Sequence, residues 1–328
     1  MKSIVRMEFG STLYGTRTPT SDLDYKTVFI PPTRDIILQR VTDSINRKTK
    51  ENERDKNAPD DIDEEFFSVQ KYLKLLMDGQ TVSLDMLFAP NQFIIEKTFV
   101  WDLIKKNKDK FLSKQSAAFI GYCRQQANKY GIKGSRVAAV RGVLEVLKEL
   151  DQHAKLGEFE AKWILLCEIT EFVEILEIPQ QSGQVLKHLQ VCGRKLPYTV
   201  RIKDCVDILQ RLFDEYGQRT LLAESNEGVD WKALSHAVRV GNQAITLFTE
   251  GEIVFPLPYA EHLLKIKSGQ LTFQEVSEEI ENLLPVVEKA AAVSTLPELP
   301  NRAWADEFLY GIYKMNVYGD LLNEIYPR

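Results

Sequence analysis

The sequence predicts an α+β protein in two successive parts, a small mixed-sheet domain over residues 1–112 and an all-helical domain over 113–328. Three observations carry this. Runs rich in β-branched and aromatic residues, such as Ile4 to Phe9 and Tyr25 to Ile30, are concentrated before Phe111. After Phe111, apolar residues recur at helical intervals. A chain of 328 residues also exceeds what one ordinary core encloses, so two packed domains are the natural expectation.

Taken in order, Ile4 to Phe9 reads as a strand, and Gly10-Ser11 follows at a turn into a helix. A second strand begins at Asp22-Leu23-Asp24 and is stopped by Pro31-Pro32. Residues 42–61 are almost wholly polar and are expected to form a mobile loop. The spacing of Phe66, Phe67, Val69, Tyr72, Leu73 and Leu76 predicts an amphipathic helix ending at Asp78-Gly79, and Thr81 to Phe88 reads as a third strand with Asp85 as its only charge. Helices are expected near Ala117–Tyr130, Arg136–Ala154, Glu158–Leu176, Val206–Tyr216, Trp231–Glu250 and Phe273–Ala292.

Two aspartates two residues apart on a strand project from one face and repel each other unless a cation neutralises them. Asp22, Asp24 and Asp85, on neighbouring strands, would suit two divalent cations roughly 3.5–4 Å apart in phosphoryl transfer. A turn such as Gly10-Ser11 would offer the complementary anion site. Each part has a plainer reading. Gly-Ser turns are common, an Asp-x-Asp pair often marks a solvated strand edge, and a single Asp in a strand can face water or cap a turn.

The run Gly10-Ser11-x-x-Tyr14-Gly15-x-x-Thr18-Pro19-x-Ser21-Asp22-Leu23-Asp24 resembles the signature of the DNA polymerase β nucleotidyltransferase superfamily. More narrowly, it resembles the bacterial and phage nucleotidyltransferases that include those of RNA ligase repair operons. Leu84-Asp85-Met86-Leu87-Phe88-Ala89-Pro90, the stretch from Gly121 to Tyr130, and Gly251 to Pro258 fit the same resemblance. Thr12 stands where that group often carries a basic or bulky polar residue, and Val173–Lys203 has no counterpart. The resemblance implies a Mg²⁺ or Mn²⁺ enzyme that moves a nucleoside monophosphate from an NTP such as ATP to a hydroxyl. Asp22, Asp24 and Asp85 would be its catalytic metal ligands, and an RNA 3′ end its first-choice acceptor. Nucleotidylation of a protein or small molecule is the alternative reaction, and a nucleotide- or RNA-binding module without turnover the alternative class.

In the second part Lys232, His236 and Arg239 fall at i, i+4 and i+7 of one helix and would suit a triphosphate, on which the resemblance implies that this helix closes; the plainer reading is a solvated face with His236 stacked against a neighbour. A further basic set, Arg124, Lys129, Lys133, Arg136 and Arg141, could guide phosphates, with Lys129 and Arg136 best placed. The net charge of −5 argues against sequence-blind nucleic-acid binding by the whole surface, because that mode displaces counterions with many Lys and Arg. Four cysteines at 123, 167, 192 and 205 lack zinc-like spacing and read as reduced thiols. The start of the chain lacks a signal-like apolar run, and later apolar runs are too short to span a bilayer, so a cytoplasmic enzyme is expected.

Overall fold

The computed structural model describes residues 1–49, 61–114, 121–122, 134–170, 172–179, 185–225 and 229–325. Contacts divide the chain into two compact units. One comprises Met1–Cys123, Ser235–Ser268 and Leu283–Arg328; the other comprises Arg124–Leu234 and Gly269–Asn282. The units are thus interleaved along the chain, whereas the sequence suggested consecutive domains meeting at 112/113.

The N-terminal stretch runs β1 (Lys2–Glu8), α1 (Gly10–Tyr14), β2 (Leu23–Ile30), α2 (Thr33–Ile37), β3 (Ser44–Lys48), β4 (Ile62–Ser68), α3 (Val69–Met77), α4 (Thr81–Phe88), β5 (Ile94–Lys97) and α5 (Phe99–Lys106). The five strands form one mixed sheet in the order β3-β4-β2-β1-β5. β2 and β4 are parallel, and the other neighbours are antiparallel. Strand alternation puts Val5, Met7, Val28 and Phe67 on buried positions of the sheet, and Tyr72, Leu76, Trp101 and Ile104 of the helices are buried as well.

Three expectations for this stretch are corrected. Part of the polar loop is strand β3, which lies at the sheet edge, where solvent exposure tolerates Arg47 and Lys48. Residues 50–60 of that loop lie outside the described residues. The helix expected from Phe66 begins at Val69, because Ser68 caps it by accepting a hydrogen bond from the Lys71 amide at 3.2 Å. Residues 62–68 before it are strand β4. Finally, Thr81–Phe88 is a helix. Ser83 through Leu87 are all buried, so this apolar run had no polar face to reveal its period.

The chain continues through α6 (Gly134–Lys148), α7 (Glu160–Ile169), β6 (Val173–Pro179), β7 (Val185–Val191), β8 (Arg194–Pro197) and α8 (Ile202–Ser225). The expectation of an all-helical second part needs one amendment, since β6-β7-β8 form a three-stranded antiparallel sheet. Thr170 adopts an extended conformation that ends α7 before the strand. The Val173, Leu189, Val191 and Leu196 side chains join Val143, Leu147, Trp163, Cys205 and Leu209 in a core belonging to this unit. The remaining helices are α9 (Trp231–Glu250), α10 (Ala260–Lys267), α11 (Phe273–Val293) and α12 (Arg302–Ile325). No helix among the described residues is long and apolar enough to cross a membrane.

Helix α12 is fastened to the start of the chain. Asn316 Oδ1 accepts from Lys2 Nζ at 2.8 Å, and its amide donates to Thr33 Oγ1 at 3.0 Å, while Lys2 also pairs with Asp320 at 2.7 Å. Asn316 is buried and Lys2 is exposed. Asn316→Ala is therefore expected to cost about 1–2 kcal/mol, because two hydrogen bonds made by a buried side chain to partly exposed partners are lost. Lys2→Met should cost less than about 1 kcal/mol, as exposed ion pairs contribute little. Chemical denaturation of both variants checks the ranking.

Candidate active site

The parallel register of β2 and β4 places Asp24 opposite Asp63. Asp22 lies just before β2, on the same side as Asp24 by strand alternation. One carboxylate oxygen from each of Asp22, Asp24 and Asp63 lies within 4.8 Å of the others. All three residues are partly buried. Lys48 Nζ stands 3.7 Å from Asp63, but this pair is largely exposed and supplies little compensation. Three carboxylates so close form an oxygen-rich donor set that suits a hard divalent cation such as Mg²⁺ or Mn²⁺.

The next pair on the same face of the sheet is Lys26 opposite Glu65, joined at 2.7 Å, with the Lys26 ammonium 5.3 Å from the Phe9 ring centroid. β1 then turns into α1 directly against Asp24. The Phe9 amide donates to the Asp24 carbonyl at 2.8 Å. Gly10 has φ +58, and a Cβ there would lie 1.9 Å from Asp24 Oδ2. Only glycine allows this backbone to adopt that angle while lying against the carboxylate. Beside it, the Ser11 hydroxyl is buried with no hydrogen-bond partner among the described residues. A buried orphan hydroxyl costs free energy, so a ligand atom that pairs with it would recover that cost.

Asp85 departs from its expected role. It sits on α4, fully buried, and both of its oxygens are engaged within the protein. Oδ2 accepts from the Tyr14 hydroxyl and from the Arg239 guanidinium, each at 2.9 Å, and Oδ1 accepts from the Gln243 amide at 2.8 Å. Burial pushes the Asp85 carboxyl upward in pKa, and Arg239 opposes that shift. Burial likewise holds the Tyr14 hydroxyl well above the usual tyrosine range. The carboxylate that stands with Asp22 and Asp24 is Asp63, which sequence reasoning missed. The local sequence carries no clear signal, since Ile62-Asp63-Glu64-Glu65-Phe66-Phe67 lacks the apolar/polar alternation of a half-buried strand.

The three nitrogen side chains of α9 do not share one environment. Lys232 and His236 are exposed, and the His236 ring lies 5.2 Å from that of Tyr122. Arg239 is buried, donates to Gln243 Oε1 at 2.9 Å, and lies 4.0 Å from the Tyr14 ring centroid. The helix face they occupy is therefore covered by Tyr14 and Asp85 where Arg239 emerges. Arg136 lies in the first turn of α6, and Lys129 is outside the described residues.

The profile of a family described as RlaP, RNA repair pathway DNA polymerase beta family, matches residues 1–153, a span that includes Gly10, Asp22, Asp24 and Asp63. A protein of Enterobacteria phage T4, described as an uncharacterized 38.9 kDa protein in the nrdC-mobD intergenic region, is 36% identical over 331 residues. The alignment covers 96% of this chain and 98% of that protein. No solved structure matches the chain.

Two glycines separate the backbone effect from the contact effect. Gly251 has φ +71 and open space where a Cβ would stand, so Gly251→Ala is expected to cost about 1–2 kcal/mol for the left-handed backbone alone. Gly10→Ala adds the collision with Asp24 and should lose more, with Asp24 displaced. Thermal melting of the two variants gives the comparison, and equal losses would contradict the contact.

Proposed function

The chain belongs to the RNA repair pathway DNA polymerase beta family, and on that basis we propose that it is a metal-dependent nucleotidyltransferase acting on an RNA 3′ end. In this reaction the acceptor hydroxyl oxygen forms a bond to the α-phosphorus of an NTP. The bond from that phosphorus to the β-phosphate oxygen breaks, pyrophosphate leaves, and the hydroxyl proton passes to solvent or a nearby base. The observation that carries the reading is the juxtaposition of Asp22, Asp24 and Asp63 beside Gly10.

Asp22, Asp24 and Asp63 would hold the divalent cations. When bound, such ions neutralise phosphate charge and make an acceptor hydroxyl easier to deprotonate. The chain's own contribution is positional. Asp24 and Asp63 are fixed by strand register, which leaves little entropy to lose on binding. Gly10 allows the backbone to lie against Asp24 without a side chain, and the Ser11 hydroxyl, which lacks a partner among the described residues, would pair with a phosphate oxygen if the turn opened to admit one. His236, exposed on α9, is the candidate for a further phosphate contact; Arg239 is committed to Asp85 and Tyr14. The choice of RNA over another hydroxyl rests on the family's description alone.

The test incubates the full chain with each α-³²P-labelled NTP, Mg²⁺ or Mn²⁺, and either short RNA bearing a 3′ hydroxyl or total cellular protein. Label is expected on RNA, and Asp22→Asn, Asp24→Asn and Asp63→Asn should each lower the rate by at least about 100-fold, the scale of losing several kcal/mol of charge stabilisation. Label on polypeptide instead would overturn the acceptor. No label on any acceptor would overturn the catalytic reading.

A further inference from the structure

We infer that Tyr14, Asp85, Arg239 and Gln243 form a buried positioning device that holds the Gly10–Ser11 turn against Asp24. This rests on the proposed reading of that turn as part of the nucleotide site. The four side chains are joined by contacts of 2.8 to 2.9 Å, with both Asp85 oxygens used and the Arg239 guanidinium lying over the Tyr14 ring. Asp85 is 0% exposed and Arg239 6%.

Helix α1 is what connects this cluster to the site. It has five residues, too few to be stable alone, so its placement depends on what grips its ends. Its first residue, Gly10, lies against the Asp24 carboxylate. Its last, Tyr14, donates to Asp85, and the Tyr14 carbonyl accepts from the Leu257 amide at 3.2 Å. Gly15, which caps the helix at φ +76, is pressed against Pro256, leaving no room for a Cβ. The two ends of α1 are separated by only about 6 Å along its axis. A shift of Tyr14 is therefore transmitted to Gly10 with little to absorb it.

A buried ion pair is a poor source of net stability, because desolvating both charges offsets much of their attraction. It does fix geometry, since displacement leaves a charge unpaired in a dry environment. Asp85 and Arg239 fit that role, acting on the site through Tyr14 rather than touching substrate. The mutational signature should follow. Loss of the device should loosen the turn and weaken nucleotide binding, while Asp22, Asp24 and Asp63, held by sheet register, keep their places.

Tyr14→Phe is the first test, because it keeps the ring beneath Arg239 and removes only the hydroxyl. In hydrogen–deuterium exchange of the ligand-free chain, the peptide spanning residues 9–16 should exchange at least tenfold faster, with residues 62–68 unchanged. In transfer kinetics KM for the NTP should rise about tenfold, with kcat within about twofold. Gln243→Met, of similar volume, should act in the same direction more weakly, and decides the matter if Tyr14→Phe fails to fold. Unchanged exchange at residues 9–16 in the folded variant overturns the inference, as does faster exchange that extends equally to residues 62–68. If the parent chain shows no transfer at all, the proposed function fails while the exchange result still decides the positioning role.

Discussion

Mutual repulsion among Asp22, Asp24 and Asp63 is the constraint on which the first unit depends. Like unit charges no more than 4.8 Å apart repel by at least roughly 1 kcal/mol per pair even where solvent screens them as fully as bulk water. Such a cluster persists only where the backbone enforces it. The enforcement here is the hydrogen-bonded register of β2 with β4, reinforced by the Phe9 amide on the Asp24 carbonyl. A divalent cation would convert the same closeness from a cost into a binding energy, which is why stability and function oppose each other at this end of the sheet.

The structure separates two groups of acids that a linear reading merges. Asp22, Asp24 and Asp63 are partly buried at the start of the parallel strand pair, whereas Asp85 is enclosed by Tyr14, Arg239 and Gln243. The first group has the openness that chemistry needs; the second has the saturation that fixed geometry needs. Helix α1 joins them, with Gly10 against one group and Tyr14 within the other.

Much of this was legible in the sequence because it is local. Gly10-Ser11 and Asp22-x-Asp24 are close in the chain, and their spacing alone sets their geometry on a turn and a strand. The bounds of α9 fall where its amphipathic pattern begins and ends, at Trp231 and Glu250. Asp63 was hidden because its partnership with Asp24 is made by parallel pairing across 39 positions of chain, and no local pattern encodes that register. Asp85 was misplaced because an apolar run buried on most sides gives no period to read. The strand β6 escaped because Phe172, Ile175 and Leu176 also fall at helical spacing, and only the shared core with Trp163 and Leu209 decides for a strand.

The central claim is that Asp63, with Asp22 and Asp24, holds the metal. Oxidative affinity cleavage tests it most directly: Fe²⁺ replaces Mg²⁺, and ascorbate with peroxide cuts the backbone around the bound ion. The expected result is cleavage near residues 22–24 and near residue 63, suppressed by excess Mg²⁺ and lost in Asp63→Asn. Cleavage near residue 85 without cuts at residue 63, or a pattern that survives Asp63→Asn, would contradict it.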